Sequence, residues 1–508
     1  MRASHRRRRP AVLPVALVLA AVVVAGCSPS DAQPRPGERT VGGTTEGQNP
    51  PPDRPAVALA TDSSRESDAV IAAGGADAPY NYAPAVMRDE GRTRMWWCSQ
   101  YGAAPPAGDD ILHAEAADIE EPFTGPDGAA PVPVPVLSGN PGGFDGVHTC
   151  DPSVIRVNGT YYMYYTGAAG DHALGNSIGL ATSTDGISWA RANGGEPVVD
   201  PAHDTHRDNT YGAGQPAAVH LDGWFYLMFT DTTGREAGWN GAGQFVVRAK
   251  DPAFTTEVQA LKADGFRPAP GTGAPRTDSL VDAFSADLMW VDALDAFAIA
   301  HETRDGTTLT FWDREFTANP FEPVIIPGPW REGPGLLREP EGHARISTRD
   351  PCDRVPVDVV RATVTGAAGA PTDLRHYGID LQGVGACTDP ARTLRVLDGV
   401  AMPSPVRTMD VVVEGKVVRV DRRSVAEALA GRVLDRRLPV LDTFPVATRL
   451  RAGAPALRAP GSGTGLLLDD GALWPIASDE IAELNDSALE AVDDQRWNAY
   501  PVGPVLGP

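Results

Sequence analysis

Asp151-Pro-Ser-Val-Ile-Arg-Val-Asn-Gly-Thr-Tyr-Tyr-Met-Tyr-Tyr-Thr166 and Gln215-Pro-Ala-Ala-Val-His-Leu-Asp-Gly-Trp-Phe-Tyr-Leu-Met-Phe-Thr230 match almost position for position. Each opens on a residue before proline, alternates apolar and polar side chains, turns at Asn158-Gly159 or Asp222-Gly223, and returns as an aromatic strand. The pattern recurs roughly every 50 to 70 residues, which marks a repeat architecture. An earlier copy runs from Ala83-Pro84 to Arg94-Met-Trp-Trp-Cys-Ser99. A later one runs from Ser285-Ala286-Asp287 to Phe297-Ala-Ile-Ala-His-Glu302, and a weaker one opens at Glu332-Gly333-Pro334. Further short strands are expected near Asp110, Ser177, Gln244 and Thr308. Units of about four short strands close into a ring of blades, so the expected fold is all-β, a five-bladed β-propeller over residues 78–390. A β-sandwich has similar strand lengths but does not account for the matched proline, turn and aromatic positions.

Composition agrees. The chain has 508 residues, with 44 Lys and Arg against 66 Asp and Glu, a formal charge of −22 that disfavours a nucleic-acid partner. Its 54 glycines and 47 prolines point to many tight turns rather than long helices. The basic run Arg6 to Arg9 precedes the apolar stretch Ala11 to Ala25 and the sequence Val24-Ala25-Gly26-Cys27. That stretch is short of the roughly 20 residues a membrane span needs, and the pattern resembles a bacterial lipobox. The expectation is a signal peptide over 1–27, lipid on Cys27, and an extracytoplasmic protein anchored to the cell membrane. Residues 28–77, rich in Pro, Gly and polar side chains at their start, are expected to be a tether.

Export places the remaining cysteines, Cys98, Cys150, Cys352 and Cys387, in an oxidising compartment. None belongs to a C-x-x-C pair, so no metal site is assigned to them. Of three connectivities, Cys98–Cys150 and Cys352–Cys387 are expected, because each pair falls on what read as neighbouring strands.

The Asp151-Pro-Ser-Val-Ile strand with its tyrosine-rich partner, Ser183-Thr-Asp-Gly-Ile-Ser-Trp189 and Glu332-Gly-Pro334 together resemble the five-bladed propeller glycoside hydrolases, family 43 and its relative family 32. The resemblance implies two carboxyl groups flanking a scissile glycosidic bond. Carried over by residue, Glu332 matches the acid and Asp287 the carboxylate that tunes it. The base is the point of departure. Counting back one blade from Asp287 reaches Gln215-Pro216 where the family has Asp-Pro, and an amide cannot take up a proton at neutral pH. Either Asp151 serves as base from the blade before, or the base has become Gln215 and hydrolysis is lost, leaving a glycan-binding propeller. Glu302 is a reserve acid expected at the same mouth, and Tyr211, Trp239, Trp290 and Trp330 are expected to offer aromatic faces to sugar rings. No cofactor is required. The resemblance admits a structural Ca2+ in the funnel.

Beyond residue 390 the blade pattern stops. Gly415-x4-Val420-x4-Val425-Ala-Glu427 aligns with Gly471-x4-Ile476-x4-Ile481-Ala-Glu483, and Pro439-Val440 and Pro501-Val502 follow. Residues 391–508 therefore read as an α+β region of two hairpin-helix repeats. They are similar to short modules appended to exported actinobacterial wall proteins, which implies cell-wall contact; a dimerisation or packing role is the alternative. The function expected is a surface-anchored glycosidase acting on furanosyl or xylosyl glycans: arabinan, xylan, galactan or a cell-wall polysaccharide.

Overall fold

The computed structural model describes residues 56–507 except 76–77, 102–107, 126–133, 171–174 and 239. Cys27, the signal segment, the start of the expected tether and Trp239 lie outside the described residues. Five strands form the centre: β1 (Asn81–Asp89), β2 (His148–Val157), β3 (Ala213–Leu221), β4 (Ala286–Val291) and β5 (Glu332–Arg338). Each touches the next, and β5 touches β1, so the set closes on itself. Each begins its own antiparallel sheet running outward, the hairpin turns falling at Asn158-Gly159 and Asp222-Gly223 as the sequence reads. β5 also pairs parallel with β1 through Leu337 with Val86 and Arg338 with Met87, which makes the closure a hydrogen-bonded one.

The apolar faces of neighbouring sheets bury each other. Leu227, Phe229 and Val247 pack against Ile155, Tyr164 and Leu180, and Tyr226 and Met228 pack against Leu288, Trp290 and Phe297. The Ser183-Thr-Asp-Gly-Ile-Ser-Trp189 segment is a turn that joins two sheets. Asp185 accepts from the backbone N–H groups of Ile187 and Ser188, and the Gly186 carbonyl accepts from the Trp96 indole of the first sheet at 2.9 Å. Both disulfides, Cys98–Cys150 and Cys352–Cys387, are formed. The first ties the second strand of the first sheet to β2.

The fifth sheet departs from the sequence reading. Its outermost strand is Ala60–Glu66, which pairs antiparallel with Pro371–Gln382, so part of the stretch expected to be tether is a strand. Arg65 fixes it, with Asp358 at 2.9 Å and Asp380 at 2.6 Å. Ala-Thr-Asp-Ser-Ser-Arg-Glu is mostly exposed at an outer edge, so it carries no apolar alternation to betray it.

After residue 390, two sheets each carry a hairpin followed by a helix: strands Met409–Val413 and Lys416–Val420 with α1 (Arg423–Leu429), and strands Gly463–Leu467 and Leu473–Pro475 with α2 (Asp479–Leu484). Val425 and Ile481, matched in the two repeats, share one core with Trp474. Arg432 reaches back to the Ile346 carbonyl at 2.6 Å and to Glu339 at 2.5 Å, so this region is seated on the ring.

Candidate functional site

The residues that open the central strands do so through one repeated distortion. Ala83, Asp151, Gln215 and Gly333 each precede a proline and have φ of 45°, 49°, 54° and 59°. At each the strand register slips against its hairpin partner. A left-handed residue is costly for anything but glycine, by about 1 kcal/mol or more, and a bulge re-aims its side chain. Four of the five central strands thus point their residue before proline into the funnel mouth. β4 has no such slip, since Ala286 and Asp287 pair regularly with His301 and Ala300.

Glycine is required where β5 meets β1. A Cβ on Gly333 falls 2.8 Å from Ala83 Cα, and one on Gly335 falls 1.9 Å from the Pro84 carbonyl oxygen. Glu332-Gly333-Pro334-Gly335 can therefore lie against Ala83-Pro84 and hold Glu332 at the mouth. Ala83, Asp151, Gln215 and Gly333, with Asp287 and Arg338 below, line a recess of about 330 Å³ including its open mouth.

Asp151 is buried, and its Oδ2 accepts from the Tyr211 hydroxyl at 3.3 Å. Tyr211 itself is held edge-on against Phe284. The Thr166 hydroxyl also supports the Asp151 carboxyl and accepts from the Gln215 backbone N–H at 2.9 Å. The Gln215 side-chain amide donates to Glu332 Oε1 at 3.3 Å. Burial, and then the Asp151 carboxylate, push the Glu332 pKa up to about 8. Burial, with the Asp109 charge, holds the Asp151 pKa above the ordinary aspartate value, although His148 and the Thr166 and Tyr211 hydroxyls pull against it. Two close carboxyls share their ionisation. Asp151, with the Tyr211 hydroxyl on its Oδ2 and His148 beside it, is the better placed of the two to hold the charge, and Glu332 the better placed to hold the proton.

Of the residues singled out from sequence, Asp151, Glu332, Gln215 and Tyr211 come together. Asp287 lies deeper: its oxygens accept from the N–H groups of Leu288 and Leu336 at 2.8 and 2.7 Å, and Arg338 stands 3.3 Å away. Arg338 also donates to the carbonyls of Ala218 and Leu288, so it joins β3, β4 and β5. Glu302 does not join the mouth group. Its carboxyl accepts from Thr307 at 3.0 Å beside Arg361, and burial lifts it to about 7. Trp290 is a core residue rather than a sugar platform: fully buried, it packs on Phe297 and donates to Asp292 at 3.0 Å. An inner strand covered by a neighbouring sheet has no free face at that depth.

The recess does not suit Ca2+, which takes about six to eight oxygen ligands. Its floor carries the Arg338 guanidinium, and both Asp287 oxygens are engaged. Asp109, His148 and Cys150 bring ligand-type atoms together, but the Cys150 sulfur is in a disulfide and His148 Nδ1 is bonded to Asp109. Sequence reasoning missed Asp109, Tyr80 and Arg338. Only Arg338 left a mark, as a cation ending the apolar run Gly335-Leu-Leu-Arg338.

No family model matches the chain, and no curated protein does. Among solved structures, a family 117 glycoside hydrolase of the marine bacterium Zobellia galactanivorans covers 66% of this chain over 93% of its own, at 11% identity and a TM-score of 0.43. A glycosyl hydrolase from Bacteroides ovatus covers 63% over 94%, at 10% and 0.37. The catalytic domain of a Coprinopsis cinerea GH62 alpha-L-arabinofuranosidase covers 65% over 98%, at 10% and 0.38. Superposition this loose leaves the chemistry of the site to be read from its own residues.

Proposed function

We propose that the protein is a glycoside hydrolase in which Glu332 is the general acid and Asp151 the carboxylate that activates water or attacks the anomeric carbon. One observation carries this: a carboxyl lifted to about 8 stands at a funnel mouth beside a second carboxyl braced by Tyr211 and Thr166. Glycoside hydrolysis needs that division between a protonated and an ionised carboxyl. Gln215 acts in this scheme as a donor to Glu332 Oε1, which leaves Oε2 to carry the proton toward the leaving oxygen. The deeper Asp287 and Arg338 hold the strands that present the pair.

The substrates proposed are furanosyl or xylosyl glycans, outside the cell, with the protein held at the membrane by lipid on Cys27 and the 391–508 region in contact with the wall. The test is a screen of the protein against arabinan, xylan, galactan and fructan. Asp151→Asn and Glu332→Gln should abolish product while glycan binding persists. Binding by the wild type without product overturns the hydrolase and leaves a glycan-binding propeller. Anomeric NMR of the first product distinguishes inversion from retention. For the anchor, Cys27→Ala should release the protein or leave an unprocessed precursor, and unchanged membrane retention overturns it.

A further inference from the structure

Behind Asp151 lies a buried polar chain that the acid-and-carboxylate scheme does not use. His148 opens β2 three residues before Asp151, and both are buried. Its Nδ1 is hydrogen-bonded to Asp109 Oδ2, and Asp109 Oδ1 accepts from the Tyr80 hydroxyl. Asp109 is anchored in turn by its N–H on the Val147 carbonyl at 3.1 Å. The Cys98–Cys150 disulfide fastens the strand between His148 and Asp151. The titratable groups facing His148 are Asp109 from ahead of strand Asp110–Ala116, Asp151 from its own strand and Glu332 from β5. Tyr80 and Tyr82 close the back, and burial followed by Asp109 holds both hydroxyls neutral.

We propose that Tyr80, Asp109 and His148 form a positioning device for Asp151, with His148 fixed by Asp109 as the buried counter-charge that lets Asp151 stay a carboxylate while the proton rests on Glu332. The inference rests on the reading of Asp151 and Glu332 as the working pair. Its physical basis is charge balance. Asp109 and Asp151 together place two negative charges in a space that excludes water, and an unpaired buried charge costs several kcal/mol or neutralises itself by taking a proton. Were Asp151 to take it, the site would hold two acids and no acceptor. A cation beside Asp151 that does not line the recess offsets this without occupying the substrate's place. Burial alone would strip the imidazole of its proton, and Asp109, hydrogen-bonded to it, together with the Asp151 carboxylate outweighs that and raises its pKa. His148 moves no proton to substrate in this scheme.

The experiment is an NMR titration of the full chain between about pH 5 and pH 8, with nitrogen-labelled histidine and carboxyl-labelled aspartate assigned through His148→Gln and Asp151→Asn. The expected result is an imidazolium at 148 and a carboxylate at 151 near neutrality. His148→Gln, which can still donate to Asp109, should raise the Asp151 titration by about one pH unit or more. Asp109→Asn should lower that of His148, and it supplies the Asp151 reading if His148→Gln does not fold. A neutral ring throughout, or an Asp151 titration indifferent to both variants, overturns the proposal. On a hydrolysed glycan the acid limb of kcat/KM should move up with Asp151, a loss of about tenfold confined to low pH, with the basic limb unmoved. An equal loss at every pH marks a purely structural role and also overturns it. If no glycan is hydrolysed, the hydrolase reading fails by itself, while the NMR arm still decides the counter-charge.

Discussion

Glu332 is where function and stability oppose each other. Its folded pKa of about 8 lies above the ordinary glutamate value. As pH rises from about 4.5 to about 8, the unfolded chain gives up this proton and the folded protein does not, so stability falls across that window. Glu332→Gln removes the penalty. It should melt higher than wild type at neutral pH, by on the order of 1–2 kcal/mol, match it near pH 4, and hydrolyse nothing. Parallel melts at the two pH values check this, and a variant no more stable at pH 7 contradicts a protonated Glu332. The wild-type rate should fall above pH 8 as the acid is lost. Asp151→Asn should cost a thousandfold or more in kcat, on the order expected when one half of an acid and base pair is removed. At this scale the sequence shows the residue types and not their states. Glu332 read as a match to a motif, but it keeps its proton because of burial and the Asp151 carboxylate, against the Gln215 amide, and these partners are distant in the chain.

At the scale of elements, the bulge before proline is the device that builds the mouth. Ala83-Pro84, Asp151-Pro152, Gln215-Pro216 and Gly333-Pro334 are plain in the sequence, but their left-handed backbone is not, because a residue before proline ordinarily stays extended. Gly335 is the sharpest test. Gly335→Ala drives a Cβ into the Pro84 carbonyl, so β5 must leave β1 and take Glu332 with it. The variant should lose about 1–3 kcal/mol by chemical denaturation, and more than that proportion of activity. At the other end of the central strands, His343 donates Nδ1–H to Asp292 and Nε2–H to the His220 carbonyl, at 2.9 Å each. Both nitrogens donate only in the imidazolium, and although burial opposes it, Asp292 holds this pKa up at about 9. Raised above its unfolded value, the group contributes stability that is complete below about pH 6.5 and lost as pH climbs through 9. Alkaline melts should show that loss in wild type, and His343→Gln should flatten it.

For the whole molecule, the fifth sheet is completed by a strand from before the first sheet. Ala60–Glu66 completes the fifth sheet, and Arg65 joins it to the buried Asp358 and to Asp380. Arg65→Ala leaves Asp358 with His376 at 2.8 Å and Arg345 at 3.6 Å, and should cost about 1–3 kcal/mol. Deleting residues 60–66 exposes the edge of Pro371–Gln382 and should give aggregation on top of a lower Tm, measured by light scattering during the melt. An unchanged melt after that deletion would make the strand an ornament rather than a clasp. The disulfides act at the same scale. Cys98–Cys150 closes 52 residues and Cys352–Cys387 closes 35.

What the sequence determined by itself is whatever a local period or turn encodes. The five openings, the hairpin turns, the third strands and the two hairpin-helix repeats were legible because alternation, Asn-Gly and Asp-Gly pairs and matched prolines act over a few residues. The disulfide pairing was also as expected, though its ground holds only for Cys98 and Cys150, since Cys352 lies in a turn and Cys387 in a short 3-10 helix rather than on strands. What only the tertiary structure decided is what depends on partners far along the chain. Ala60–Glu66 has no apolar pattern, because an outer edge strand buries little, and it is a strand only through Pro371–Gln382. Trp290 reads from sequence as either a sugar platform or a core residue, and the neighbouring sheet that covers it makes it core. Asp287 and Arg338 neutralise each other across two strands, and Asp109 reaches His148 from just ahead of a strand of another sheet. Protonation is set by burial and by charges brought together when the ring closes, and neither exists until it does.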